Sequence, residues 1–125
     1  MAVNEKHAKV VQQVIDNCHG SENLYRHQLT NNYYTDGISL VALIAKSEWL
    51  ISDALVICKS LSKKNSFIVV EFQYTDRMVG TEAVIRYSDG NNNVLDIQKY
   101  RSTDFPMKSF KLFYENNTLM LPGER

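Results

Sequence analysis

The sequence predicts an α+β fold in which N-terminal helices pack on an antiparallel meander of four or five strands. Two observations support this prediction. The spacing of apolar residues changes once along the chain, from a helical period to a period of two after residue 65. No linker or low-complexity segment interrupts the 125 residues, a length typical of one domain. We therefore expect residues 1–125 to form a single two-layer domain.

The N-terminal half contains two helical patterns. In the first, apolar residues share one helical face over residues 7–18, with Asn4 as a candidate N-cap. The second covers residues 38–59 and follows a Thr-Asp-Gly sequence that can cap a helix. Neither proline nor glycine interrupts it, so we expect one long helix, bent if at all near Ser47. Trp49 lies on its apolar face and is expected in the core.

The C-terminal half contains five strand patterns, at residues 66–74, 81–88, 94–100, 109–115 and 118–122. Apolar and polar side chains alternate in the first two, which is typical of strands with one buried face. Asp89-Gly90-Asn91-Asn92 and Glu115-Asn116-Asn117 predict tight hairpins, because these residue types tolerate positive φ. Phe105-Pro106 ends the third strand, since proline cannot donate to a sheet.

Composition and charge exclude several classes of protein. The 14 basic and 14 acidic residues cancel, so no overall field attracts the chain to nucleic acid or to an anionic membrane. The 44% hydrophobic content is typical of a folded globule. No apolar run approaches the roughly 20 residues that span a bilayer, and the charged N-terminus does not resemble a secretory signal. We expect a cytoplasmic protein without membrane contact.

Residue patterns for metal and cofactor binding are weak. The five glycines are scattered singly, so no phosphate-binding loop is predicted. Cys18, His19 and His27 form the nearest approach to a metal cluster, yet adjacent helical residues point about 100° apart. Cys18 and Cys58 lie in apolar helical patterns and are interpreted as buried free thiols. We therefore predict neither a metal nor a cofactor.

Catalytic arrangements are equally weak. Cys18 or Cys58 could combine with His27 and Asp36, but no local motif of a nucleophile supports this grouping. Glu71 and Glu82 could face each other on neighbouring strands, on the face opposite the core. Two solvated strand carboxylates explain that pattern better. We predict that the protein is not an enzyme.

Residues 21–49 carry an unusual density of amphipathic side chains, of the types that protein interfaces concentrate. Together with a short basic patch they form the predicted partner-binding surface: Tyr25, Arg26, His27, Tyr33, Lys63 and Lys64. We expect Tyr34 to pack beneath the helix start near Asp36, while Arg26 and Tyr33 reach outward. Two other interpretations remain open. The tyrosines could close one side of the core, or the aromatic and basic residues could bind single-stranded nucleic acid, which the balanced charge disfavours.

A resemblance adds a biological setting. The chain resembles a family of small proteins of unknown function carried by bacteria and by their phages, plasmids and integrated elements. The likeness covers nearly the whole chain, although residues 59–101 match in pattern only. It implies a single α+β domain and brings no catalytic residue. The residues that carry it are Glu22, Tyr25, Arg26, His27, Tyr34, Thr35, Asp36, Gly37, Trp49, Leu50, Asp104, Phe105, Pro106, Leu121, Pro122 and Glu124.

This setting favours a binding protein that inhibits or modulates a host protein machine by occlusion. A defence nuclease complex, blocked in the manner of an anti-CRISPR, is the leading target. The alternative is a nucleic-acid-binding accessory protein that uses the same surface. An enzyme acting on a small substrate through the Tyr-Arg-His cluster is the third hypothesis. If residues 118–121 form an edge strand, pairing of two copies would give a homodimer.

Overall fold

Three helices and seven strands make up the described part of the chain, which in this computed structural model comprises residues 5–16, 23–44, 48–77, 80–100 and 109–125. The elements in chain order are α1 (Glu5–Asp16), β1 (Leu24–His27), β2 (Asn32–Thr35), α2 (Asp36–Ile44), α3 (Glu48–Leu61), β3 (Phe67–Arg77), β4 (Gly80–Ser88), β5 (Val94–Tyr100), β6 (Ser109–Glu115), β7 (Thr118–Met120) and a final 3₁₀ turn (Pro122–Glu124).

The strands form one mixed sheet in the order β1-β2-β7-β6-β3-β4-β5. The α+β fold is confirmed, but the predicted four- to five-stranded antiparallel meander is wrong in three respects. The sheet has seven strands, β2 and β7 run parallel, and β6 pairs with β3 instead of continuing beyond β5. The five predicted strands correspond to β3–β7. The two additional ones, β1 and β2, form a hairpin within the segment that separates the first two helices.

The strands β1 and β2 were not predicted, because each has only four residues and neither shows an alternation of apolar and polar side chains. Three of the four residues of β1 are exposed. β2 is placed by pairing with β7, where Tyr33 is in register with Thr118 and Tyr34 with Leu119. A partner this remote in sequence leaves no local pattern.

The central strands bury the face that their alternation predicted. Val70 and Phe72 of β3 are in register with buried residues of β4 and β6, and Ile68 is in register with the buried Tyr114 of β6. Phe72, for example, lies between Ile85 and Phe110. All three helices contribute to the same apolar cluster. Its largest fully buried members are Tyr87, Tyr114, Phe72, Ile38, Leu55, Ile68, Ile85, Leu112, Leu119, Leu121, Val11 and Val41.

Both predicted hairpin turns are confirmed. Between β4 and β5, Gly90 has φ +86° and Asn92 φ +66°, while the Asp89 carboxylate accepts a hydrogen bond from the Asn91 N–H (2.8 Å). Hydrogen bonds from the Asn93 side chain and the Asn91 backbone hold the pKa of Asp89 below its usual value. The turn between β6 and β7 uses two asparagines with positive φ, Asn116 and Asn117.

The predicted single helix over residues 38–59 is two helices. α2 ends at Ile44 and α3 begins at Glu48. Val41 of α2 and Leu55 of α3 are both fully buried. Neither proline nor glycine lies between the two helices, so the division leaves no residue signal that the helical pattern could reveal. Residues 45–47, which contain the predicted bend, lie outside the described residues, as do Asn4, Cys18 and Phe105-Pro106.

Trp49 lies at the rim of the core. It is half-buried and packs edge-on against Tyr100, with ring centroids 5.3 Å apart. The Tyr100 hydroxyl donates a hydrogen bond to Asp53 (2.7 Å) on the following turn of α3. Trp49 therefore joins α3 to the edge strand β5 instead of filling the centre of the core.

The end of the chain closes over the start of α2. The Glu124 carboxylate accepts hydrogen bonds from the Thr35 hydroxyl (2.6 Å), the Gly37 N–H (3.1 Å) and the Leu121 N–H (3.0 Å). A side chain at Gly37 would collide with this carboxylate, because its Cβ would lie 2.5 Å from Glu124 Oε1. We call these four residues the C-terminal clamp. All four belong to the set that carries the family resemblance.

Candidate functional site

The β1–β2 hairpin forms one end of the sheet. Among the described residues β1 pairs only with β2, so its other side is an open edge. Leu24, Tyr25 and Arg26 are exposed along it. An edge of this kind offers backbone N–H and C=O groups to a further strand. The opposite end of the sheet, β5, is the corresponding edge.

The turn of the hairpin is fixed by hydrogen bonds. Asn31 has φ +56°, and its N–H donates to the carbonyl of His27 (2.8 Å). Its own carbonyl accepts from the Asn117 side chain (3.2 Å), and the Tyr33 N–H donates to the Asn117 carbonyl (2.9 Å). The hairpin is thus attached to the β6–β7 turn and forms a preorganised edge.

The predicted partner-binding residues of the hairpin lie on both faces of the sheet. Tyr25 is paired with Tyr34, and their rings stack with centroids 5.5 Å apart. Both lie on the helix side, because Tyr34 is in register with the fully buried Leu119. Arg26 is paired with Tyr33, and strand alternation places these two on the opposite face. Tyr34 is half-buried, whereas Arg26 and Tyr33 are exposed.

Lys63 and Lys64 occupy the turn that follows α3, and both are exposed. No hydrogen bond or ion pair among the described residues joins them to the hairpin. A different lysine, Lys59 of α3, contacts the turn that holds the hairpin: its ammonium group donates a hydrogen bond to Asn117 Oδ1 (3.3 Å). Tyr25, Arg26, His27 and Tyr33 therefore lie together on the hairpin, whereas Lys63 and Lys64 belong to a different element, the turn after α3.

Three exposed leucines, which were not among the predicted site residues, lie on the hairpin or in the helix beside it. Leu29 in the turn is 91% exposed, Leu43 of α2 is 68% exposed and Leu24 of β1 is 57% exposed. An apolar residue within a polar turn, as in Gln28-Leu29-Thr30, is a signal that could have identified the first. Apolar side chains beside an open strand edge are the features of a binding surface.

His27, the last residue of β1, belongs to a hydrogen-bonded chain that ends in the core. Its Nδ1 lies 2.9 Å from Thr30 Oγ1, and the Thr30 hydroxyl donates to Asn32 Oδ1 (2.5 Å). Asn32 is fully buried, and its amide nitrogen donates to the Leu55 carbonyl (2.9 Å) and to the Tyr114 hydroxyl (3.2 Å). These last two bonds fix the orientation of the amide, with its oxygen toward Thr30.

This orientation determines the proton position on His27. The single hydroxyl proton of Thr30 is given to Asn32, so Thr30 can only accept from His27 Nδ1–H. In the neutral ring Nε2 is then the acceptor. Nε2 faces Ser52 of α3, whose Oγ lies 3.5 Å away. The buried asparagine thus presents a hydrogen-bond acceptor at the surface beside β1.

His27 and Ser52 both line a cavity of about 290 Å³ between β1, β2, α2 and α3. We call it the His27 pocket; it is lined by His27, Tyr34, Ser39, Ala42, Leu43, Glu48, Ile51 and Ser52. One wall is apolar and aromatic, and the polar groups are two hydroxyls, the imidazole and the Glu48 carboxylate. A larger cavity of about 450 Å³ lies between α1, β3 and β6, away from the hairpin.

An acidic group also faces the edge from the start of α2. The Asp36 carboxylate accepts a hydrogen bond from the Asn23 N–H (3.2 Å). Its hydrogen bond with the Tyr25 hydroxyl, together with its charge, raises the pKa of Tyr25 above the usual value. The helix side of the hairpin therefore combines aromatic rings with carboxylates.

The other chemical groups considered from the sequence lie apart. Cys58 is a free thiol, fully buried, and burial raises its pKa. Cys18 and His19 fall outside the described residues, and among those described no three metal-ligating side chains cluster. Glu71 and Glu82 do not face each other, because their partners are Arg86 and Thr75 respectively. No helix in the described ranges has the length and apolarity needed to cross a membrane.

Comparison with known proteins assigns the chain to a family. No curated protein and no solved structure matches it significantly. A family of unknown function, DUF6876, matches residues 9–125. This range includes the hairpin, the His27 pocket and the C-terminal clamp, and it agrees with the resemblance that the sequence showed. The chain therefore belongs to the DUF6876 family of proteins of unknown function.

Proposed function

We propose that this protein is a non-catalytic binding protein that attaches to a host protein machine through the open edge of β1 and blocks it. A defence nuclease complex, inhibited in the manner of an anti-CRISPR, is the leading target. The proposal depends on one observation, the preorganised edge strand with Leu24, Leu29 and Leu43 exposed beside it. A partner strand added to such an edge gains backbone hydrogen bonds, and neighbouring apolar side chains give specificity.

The contacts of the hairpin favour a protein partner over nucleic acid. One face of the Tyr25 ring is covered by Tyr34, and its hydroxyl is bound to the negatively charged Asp36. Arg26 lies on the other face of the sheet, where Tyr33 is the one aromatic residue of the hairpin beside it. A nucleic-acid surface needs several aromatic rings and several cations on the same side, so that successive bases stack while phosphates are neutralised. A nucleic-acid-binding accessory role is therefore the second candidate.

Occlusion requires only a small surface. A stable protein interface buries about 800 Å² on each partner, an area that an edge strand and its flanking helix α2 can supply. The mobile-element setting that the resemblance implies supports a target in bacterial defence. An inhibitor of this kind needs no reaction chemistry, which is consistent with the weak catalytic patterns of the sequence.

The experiment compares two edges of the same sheet. Leu24→Asp introduces a charge on β1, and Ile97→Asp, the matched control, introduces the same charge on β5, where Ile97 is 45% exposed. Each tagged variant is used to purify partners from a bacterial lysate, with and without nuclease treatment. The captured complex is then reconstituted from purified components, and its nuclease activity is measured.

We expect Leu24→Asp to abolish capture and inhibition, and Ile97→Asp to retain both after nuclease treatment. Equal loss in the two variants would refute the assignment of the β1 edge. A partner that disappears on nuclease treatment would support the nucleic-acid-binding alternative. A captured protein whose activity is unchanged by the chain would refute inhibition.

A further inference from the structure

We propose that the His27 pocket receives a lysine or arginine side chain of the partner segment that pairs with β1. This inference rests on the proposed function and names the partner chemistry of the same site. A strand added to the edge of β1 would direct alternate side chains to the helix side of the sheet. His27 and Tyr25, two residues apart on β1, both lie on that side. A side chain that the added strand directs to this side beside His27 would meet the pocket, which His27 lines.

The polar groups of the pocket favour a positively charged hydrogen-bond donor as its occupant. The chain of hydrogen bonds from Asn32 through Thr30 makes His27 Nε2 an acceptor, and the Ser52 hydroxyl, 3.5 Å away, is placed to donate to it. With its proton directed at His27, Ser52 Oγ presents its lone pairs to a donor in the pocket. Glu48, at the opening, is an exposed carboxylate and contributes a negative charge. Ammonium and guanidinium groups carry only donors and a positive charge, so they complement this set.

The rest of the lining fits an aliphatic stem. Ala42, Leu43 and Ile51 form an apolar wall, and the Tyr34 ring lies beside it. Lysine and arginine bury their methylene groups along such surfaces while the charged end stays polar, and an aromatic ring attracts the cation. Nearby Asp36 adds a second negative charge on the helix side of the hairpin. An acidic partner side chain would meet two carboxylates here.

The position of the pocket favours a side chain of the paired segment. Its volume of about 290 Å³ lies at the lower end of the range of roughly 300–1,000 Å³ that is usual for ligand sites. His27, at the end of the edge strand β1, is part of its lining, so a segment paired with β1 would run alongside it. One basic side chain, anchored by a paired strand, is the occupant that this position fits.

The test uses three small probes: N-acetyl-arginine amide, N-acetyl-lysine amide and the uncharged N-acetyl-norleucine amide. Binding to isotope-labelled protein is followed by nuclear magnetic resonance. We expect the two cationic probes to shift the signals of His27 and Ser52 in a saturable manner, and norleucine to produce no saturable shift. Glu48→Gln should weaken arginine binding about five- to tenfold, which corresponds to one charge-assisted hydrogen bond at a partly exposed site.

Glu71→Gln is the matched control, since it removes the same charge from the other face of the sheet. It should leave arginine binding unchanged. Absence of saturable binding, equal effects of the two substitutions, or equal binding of norleucine would each overturn the inference. Covalent labelling of Ser52 by a fluorophosphonate, together with ester hydrolysis, would overturn it in favour of a nucleophile activated by His27.

The experiments can refute the proposed function and the assignment of the His27 pocket independently of each other. Leu24 lies on the other face of β1 from the pocket, so Leu24→Asp should leave arginine binding intact while it abolishes partner capture. If capture is insensitive to Leu24→Asp, the proposed function fails, whatever the probes show. If capture depends on Leu24 but no cationic probe binds, only the pocket assignment is refuted.

Discussion

Replacement of Glu124 by alanine should destabilise the fold far more than the loss of one partly exposed carboxylate suggests. The side chain accepts three hydrogen bonds in the C-terminal clamp, from Thr35, Gly37 and Leu121. Thr35 is only 4% exposed, so its hydroxyl would lose its acceptor in a site with little access to water. The Gly37 N–H would lose the carboxylate that caps the first turn of α2.

The free-energy cost of each lost hydrogen bond can be estimated. A buried polar group left without a partner costs about 1–3 kcal/mol, and loss of a helix N-cap costs about 0.5–2 kcal/mol. Water can replace part of the third bond, because Glu124 is half-exposed. The free energy of unfolding should therefore fall by about 3 kcal/mol. For a chain of this length that corresponds to roughly 10–15 °C in melting temperature.

The assay is thermal unfolding followed by circular dichroism, with Glu115→Ala as control. Glu115 lies nearby in β6 and forms a partly exposed ion pair with Arg125 (3.3 Å). Surface pairs of this kind contribute about 0–1 kcal/mol, so the control should melt within a few degrees of wild type. Equal shifts in the two variants would refute the reasoning about the clamp.

A double-mutant cycle gives an independent check. Gly37→Ala alone should be strongly destabilising, because the new methyl group would collide with the Glu124 carboxylate. In a chain that already carries Glu124→Ala, part of this collision is gone. The loss of unfolding free energy in the double variant should therefore be smaller than the sum of the losses in the two single variants, by about 1 kcal/mol or more. Strict additivity would show that the two residues do not interact.

The other predictions concern the core rim, the hairpin and metal binding. Trp49→Ala should cost about 2–4 kcal/mol, less than a fully buried tryptophan, measured by chemical denaturation. Tyr34→Ala should lower the melting temperature clearly, whereas Tyr33→Ala should change stability by no more than about 0.5 kcal/mol; the reverse order would contradict the assigned faces. Asp36→Asn should lower the pKa of Tyr25 toward its usual value in an ultraviolet titration; an unchanged titration would separate the two side chains. A chelator should leave the melting curve unchanged, because cysteine and histidine residues lack the spacing of a closed site; loss of bound zinc together with folding would contradict this.

The elements that were predicted correctly are those determined by neighbouring residues in the sequence. β3 and β4 follow strict alternation, and the hairpin turns contain residues that tolerate positive φ, as Gly90 and Asn116 show. β1 and β2 have no such pattern, since β2 is fixed by β7 at the other end of the sequence. The division of α2 from α3 could not be predicted either, because neither proline nor glycine lies between Ile44 and Glu48 and the apolar helical pattern continues across the gap.

The candidate site was predictable in its residue types and unpredictable in its arrangement. Tyr25, Arg26 and His27 stand out by composition, but the side of the sheet that each faces depends on a strand that was not predicted. The contact between His27 and Ser52 joins residues from different elements, and its polarity is set by Asn32 in the core. Such a chain can be recognised only once the fold brings its members together.

The pairing of β2 with β7 has a consequence for synthesis on the ribosome. The proposed recognition edge is encoded in residues 24–35, yet the strand that pairs with it and the carboxylate of the clamp are encoded much later, in residues 118–124. A two-stranded hairpin alone is at best marginally stable in water, so β1 and β2 should stay unformed while the rest of the chain emerges. Folding of this region must await a contact of very large sequence separation, which slows it. A product that stops before residue 118 could retain much of the helix and sheet core and still lack the partner-binding edge. Binding competence would thus appear only after residues 118–124 have emerged from the ribosome.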